Sequence, residues 1–186
     1  MRLKSRHFKS TVAAFLLTVG ISVPAQAQDT RLDDLFGQLG ESDPITAPWI
    51  EEQIWTEWTK SGSPAMDLLY RRGEEALDAG EPEVAIEHLT ALVDHAPGFA
   101  EGYAARAIAF YQIGLYGPAI QDIETALALE PRHFGAMQGL AVILMETGQE
   151  ERALRVFEQV LAIHPHAPDV ATRMELLQTQ LEGRNI

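Results

Sequence analysis

The sequence predicts an all-α protein in which three tandem 34-residue helix-turn-helix repeats stack into a short solenoid. Three registers carry that prediction. Pro97, Pro131 and Pro165 recur at a spacing of 34; so do Ala85, Ala119 and Ala153, and so do Gly80, Gly114 and Gly148. Apolar residues keep step with them, Leu89, Ile123 and Phe157 each falling four positions after an alanine of the series.

Each repeated residue has a physical task. The glycines end the first helix of a pair, where the chain needs positive φ and a Cβ would clash. The prolines follow the second helix, lacking the N–H that continuation requires and restricting the residue before them. The alanines let neighbouring helices approach. Gly73, Ala107 and Ala141 repeat the small-residue requirement in the first helix of each pair. The spacing predicts helix pairs at 66–79 with 83–95, 100–113 with 117–129, and 134–147 with 151–163, in repeats bounded 66–99, 100–133 and 134–166.

With these registers the chain resembles the tetratricopeptide repeat family. The family's bulky first-helix site is filled here by Leu69, Tyr103 and Met137, and its aromatic site by Ala76, Phe110 and Leu144, so the first repeat departs furthest from the pattern. The resemblance covers Met66 to His166. It implies a right-handed α-solenoid whose first helices line a concave face. On that face it places Tyr70, Glu74 and Leu77, then Ala104, Ile108 and Tyr111, then Gln138, Val142 and Met145. Such a lining suits an extended peptide or an amphipathic helix with apolar anchors. A competing reading makes Ile108, Val142 and Met145 core residues. Family members that grip chaperone C-termini use lysine and asparagine clamps on this surface, and neither residue type stands there. Trp55-x-x-Trp58, Glu101-Gly102-Tyr103 and Pro131-Arg132-His133-Phe134-Gly135-Ala136 further resemble small exported bacterial repeat proteins of no firmly assigned activity, from Leu32 to the end.

Solenoids need their ends covered. A helix at about 168–181, with Val170, Met174, Leu177 and Leu181 along one face, caps the C-terminal end within the segment 167–186. Upstream, 28–65 holds two helical stretches, Leu32–Leu39 and Pro48–Lys60, separated by Gly40-Glu41-Ser42-Asp43-Pro44. The second lines up Ile50, Ile54, Trp55 and Trp58 on one side. It is expected to cap the first pair; the sharper alternative turns Trp55 and Trp58 toward a partner, since Trp is enriched at binding hot spots.

Residues 1–27 have the layout of a secretory leader: Arg2, Lys4, Arg6 and Lys9, an apolar stretch from Thr11 to Val23, then Pro24 and Ala25-Gln26-Ala27. Cleavage is expected after Ala27. Thirteen apolar residues reach about 20 Å as a helix, short of the ~30 Å hydrocarbon layer, so a retained anchor is the weaker reading. The expected location is periplasmic or secreted, without membrane insertion after cleavage. No cysteine is present.

Beyond Ala27 there are 10 basic and 27 acidic residues, a net charge of −17 that repels nucleic-acid phosphates. No phosphate loop, nucleophile elbow or cysteine nucleophile occurs, and the carboxylates read as solvated helix ends, so neither enzyme activity nor a cofactor is expected. His88, His95, His133, His164 and His166 lack metal-ligand spacing, and no metal is expected. What remains is an interaction scaffold holding a protein or peptide. The alternatives are a self-associating envelope protein, paired through the first repeat and the apolar N-terminal helix, and an enzyme of unrecognised type.

Overall fold

The spacing of apolar residues and helix stops translates directly into helices. The computed structural model describes residues 24–184, and its helices are α1 (Pro24–Glu41), α2 (Ala47–Trp58), α3 (Pro64–Asp78), α4 (Pro82–His95), α5 (Ala100–Gln112), α6 (Tyr116–Leu129), α7 (Phe134–Glu146), α8 (Glu150–Ile163) and α9 (Val170–Arg184). No strand occurs among the described residues. The expected leader lies outside them except for its last four residues, which form the first turn of α1.

The three pairs α3–α4, α5–α6 and α7–α8 repeat one another in detail. Gly80, Gly114 and Gly148 hold φ of 72°, 74° and 70°. The residue after each glycine donates its N–H back to the last turn of the helix: Glu81 to Ala76 at 2.8 Å, Leu115 to Phe110 at 2.9 Å, Gln149 to Leu144 at 2.8 Å. These are Schellman closures that satisfy otherwise orphaned carbonyls. Ala85, Ala119 and Ala153 are wholly buried at the helix crossings. The small residue in each first helix is equally needed: a Cβ on Gly73 would sit 2.5 Å from Leu89 Cγ. Across the middle, Arg106 of α5 grips buried Asp122 of α6 through two bonds of 2.7 and 2.8 Å and reaches Thr90 of α4 at 3.2 Å, tying two repeats together.

The C-terminal helix caps α8 through Val170 and Leu177, both buried, with Met174 alongside. The N-terminal pair departs from expectation. α1 and α2 cover not the adjacent first repeat but the third: Leu32, Leu35, Phe36, Leu39, Ile50, Ile54 and Trp58 join Phe134, Met137, Leu144, Phe157 and Leu177 in one core. The reason is in α7, FGAMQGLAVILME, which is apolar almost all round and has more apolar surface to cover than its own pair provides for. α3, by contrast, leaves few apolar residues uncovered once α4 is packed on it.

Polar contacts fasten this arrangement along the inter-repeat turns. Arg132 pairs with Asp33 at 2.8 Å and lies over the Phe36 ring at 4.2 Å. His164 Nε2 meets Glu51 at 3.2 Å, and His166 Nε2 donates to the Ser42 carbonyl at 3.0 Å. Within the pair, Arg31 holds Glu57 at 2.5 Å. At the start of α2 the Asp43 carboxylate accepts the N–H groups of Ile45 and Thr46 at 2.8 and 2.9 Å, bonds that lower its pKa.

Candidate functional site

A groove of about 320 Å³ opens between α5 and α7 on the concave side. Small residues set its floor low: Ala104 and Ala107 on α5, Ala136 and Gly139 on α7. Ile108 and Val142 rise from the two helices as its walls, with Ile123 and Ile143 beneath. Ile108 is half exposed, an apolar side chain of α5 with no core to enter. Its size is at the lower end of pockets that bury a small ligand or a few side chains.

The N-terminal pair closes one end. Trp55, half-buried, reaches into the groove over Gly135, where a Cβ would come within 2.6 Å of the indole Cη2. Trp58 does not face a partner: it is 6% exposed, stacked on His133 at 4.2 Å and packed on Phe134. Its indole Nε1 is buried without a hydrogen-bond partner, as is His164 Nδ1. The exposed tryptophan is Trp49, which the sequence pattern did not single out.

Of the nine residues assigned to the concave face, Ala104, Ile108, Tyr111, Gln138 and Val142 line the groove together. Tyr70 and Leu77 stand apart from it, in or against the core of the first repeat; Glu74 does not line it but lies close to Glu101 at its end; and Met145 packs into the core shared with the N-terminal pair. Three lining residues, Trp55, Glu101 and His133, were not read as neighbours from sequence: the repeat period aligns Glu101 with Gly135 and His133 with Phe99, and says nothing about Trp55.

A buried polar cluster anchors that end. His133 Nδ1 accepts the Ala136 N–H at 3.2 Å at the start of α7, so Nε2 carries the proton and donates to Glu101 at 2.8 Å. The other Glu101 oxygen accepts from Tyr70 at 3.1 Å. Burial, then the charges of Glu101 and Glu74, raises the Tyr70 pKa far above its ordinary value. Glu74 is pushed up to about 7, by burial first and then by the charges of Glu101 and Asp78, against the opposing hydrogen bond from Tyr70. At the other end Tyr111 and Tyr116 both donate to Glu146 at 2.6 Å, which lowers its pKa.

Three of the histidines considered above as metal ligands have structural partners instead. His133 and His164 are buried pegs under the N-terminal pair, and His166 bonds a backbone carbonyl. Among the described residues no three histidine or acidic side chains are placed to hold a metal ion, and no helix is long and apolar enough to cross a membrane.

Comparison with known proteins places these features in context. Two tetratricopeptide repeat family models match residues 70–123 and 114–181. A TPR repeat-containing protein of Rhizobium etli is 32% identical over 97% of this chain and 89% of its own length. Among solved structures, MamA superposes with a TM-score of 0.61 at 21% identity, over 80% of this chain and 85% of that one. The first TPR domain of Spaghetti (RPAP3), bound to the HSP90 peptide SRMEEVD, does so with a TM-score of 0.60 at 20% identity, over 63% and 93%.

Proposed function

Because the chain belongs to the tetratricopeptide repeat family, we propose that it is an exported, periplasmic interaction scaffold that holds a peptide or helix of another envelope protein in its concave groove. The observation that carries this reading is the groove itself: apolar side chains of two successive repeats, Ile108 and Val142, face each other across a floor of small residues with nothing of this chain between them. Apolar surface left open in a concave site is the usual mark of a binding surface. The RPAP3 domain holds its peptide on the same fold. The role is non-catalytic: no side chain in the groove forms a nucleophile–base pair, and its buried His133 is spent on Glu101 and a backbone N–H.

Export rests on the leader pattern of residues 1–27. Cleavage after Ala27 removes only the first turn of α1 and spares Leu32, Leu35, Phe36 and Leu39, which dock the pair. The self-association reading loses one support, since the apolar face of α2 is used within the chain.

A photo-crosslinking residue placed at Ile108 or Val142, and a control at Glu124 on α6, tests the proposal in the host cell. The groove positions are expected to capture one discrete envelope protein that the control does not. Identical products from groove and control would sink the reading. Intact mass of the protein from the envelope fraction, expected to begin at Gln28, tests export separately.

A further inference from the structure

The groove is apolar along its floor and acidic at both ends. No lysine or arginine lines it. Glu101 stands at one end, with Glu74 near enough to feel its charge and that of Asp78. At the other, Tyr111 leads to Glu146, which is exposed. Among the described residues no lysine or arginine forms an ion pair with any of these four acids; the pairs of the neighbouring helices are Arg71–Glu75 and Arg106–Asp122. Arg173, whose charge reaches Tyr111, makes no ion pair with Glu146.

Resting on the groove reading above, we infer that the occupant is a segment with a short apolar middle and basic side chains at both ends, not an acidic chain terminus. The apolar middle covers Ile108 and Val142. The basic ends meet Glu74, beside the buried and already bonded Glu101, on one side and Glu146 on the other, where an acidic peptide would be repelled by like charge. Glu101 and Tyr111 lie ten residues apart on α5, about 15 Å along the helix. An extended occupant bridges that distance with about five residues. The net negative charge beyond Ala27 steers such a segment toward the protein from a distance. Burial and the neighbouring acids Glu101 and Asp78 hold the Glu74 carboxyl up to about 7, and a basic side chain placed beside it would drive the proton off.

The test is fluorescence anisotropy with the full chain and three acetylated, amidated peptides about six residues long, with one leucine-rich middle and ends of lysine, glutamine or glutamate. The lysine-ended peptide is expected to bind at least about tenfold tighter than the glutamate-ended one at low salt, the margin narrowing as salt rises. Glu74→Gln with Glu146→Gln should remove most of that margin, and Glu124→Gln with Glu158→Gln, on outward helix faces, should keep it. Gly139→Leu is placed to fill the groove, where an added Cβ meets only Ile123 Cδ1 at 3.8 Å, and should weaken all three peptides. Equal binding of the three, blocked by Gly139→Leu, overturns the charge inference and leaves the groove reading standing. A lysine preference lost equally in both pairs of glutamine variants assigns it to overall charge and overturns the inference too. Binding untouched by Gly139→Leu removes the groove reading itself.

Discussion

Trp58 lies flat on His133, ring centroids 4.2 Å apart and planes inclined by 17°. The indole comes from the N-terminal pair and the imidazole from the turn that opens the third repeat, so this one contact joins the two ends of the fold. Beneath it, His133 holds Glu101 of the second repeat. Replacing His133 by alanine strips Trp58 of its platform and leaves a buried carboxylate with one donor fewer. The expected loss is about 3 kcal/mol of stability, read from urea unfolding. A loss below about 1 kcal/mol would show that the cluster relaxes to satisfy Glu101 another way.

Gly135 and Trp55 are coupled in the same region. With 2.6 Å between a new Cβ and the indole, Gly135→Ala must displace Trp55, at a cost of about 1–3 kcal/mol despite the better helix propensity of alanine. In a Trp55→Leu background the same change should cost at least about 1 kcal/mol less, a coupling that a double-mutant cycle in urea measures directly. Additive effects would mean that the groove end adjusts freely.

Glu74 makes stability depend on pH with a definite sign. Its carboxyl titrates at about 7 in the folded protein and near the ordinary 4.5 when unfolded, so folding favours the protonated form. That advantage is complete below pH 4.5 and is lost as pH rises through about 7. Glu74→Gln should therefore flatten the fall in thermal stability over this range, by on the order of 1 kcal/mol after allowance for the partly exposed carboxyl. An unchanged slope would locate the titration elsewhere.

Arg106 and Asp122 show the opposite case, a charge pair closed on itself. Arg106→Leu abandons Asp122, 8% exposed, and should cost about 3 kcal/mol; adding Asp122→Leu should recover most of it, because the stranded charge rather than the lost pair dominates. Chemical denaturation of the single and double variants distinguishes the two contributions.

The repeats were legible because each stop and crossing recurs: the Gly80, Gly114 and Gly148 series dictates left-handed backbone and the Ala85, Ala119 and Ala153 series dictates close contact, and both are properties of single residues. The position of the N-terminal pair was not, because which surface Leu35 and Ile54 cover depends on where apolar surface remains after the solenoid closes. The all-round apolar α7 held the clue. The groove was half legible. Ala104, Ile108, Tyr111, Gln138 and Val142 follow from the family resemblance carried through the 34-residue period, whereas Tyr70 and Glu74 are drawn into a hydrogen-bonded cluster that only the fold brings together.

The seating of α1 and α2 on the third repeat changes how the protein must fold. Arrays of this kind ordinarily assemble by contacts between neighbours, each unit adding to the last. Here Arg132 reaches back 99 residues to Asp33, His164 reaches 113 to Glu51, and His166 reaches 124 to Ser42. The first helices made on the ribosome thus have only each other to pack on until nearly the whole chain has been synthesised. Such long-range closure slows folding while making the finished molecule unravel as one body instead of fraying from either end.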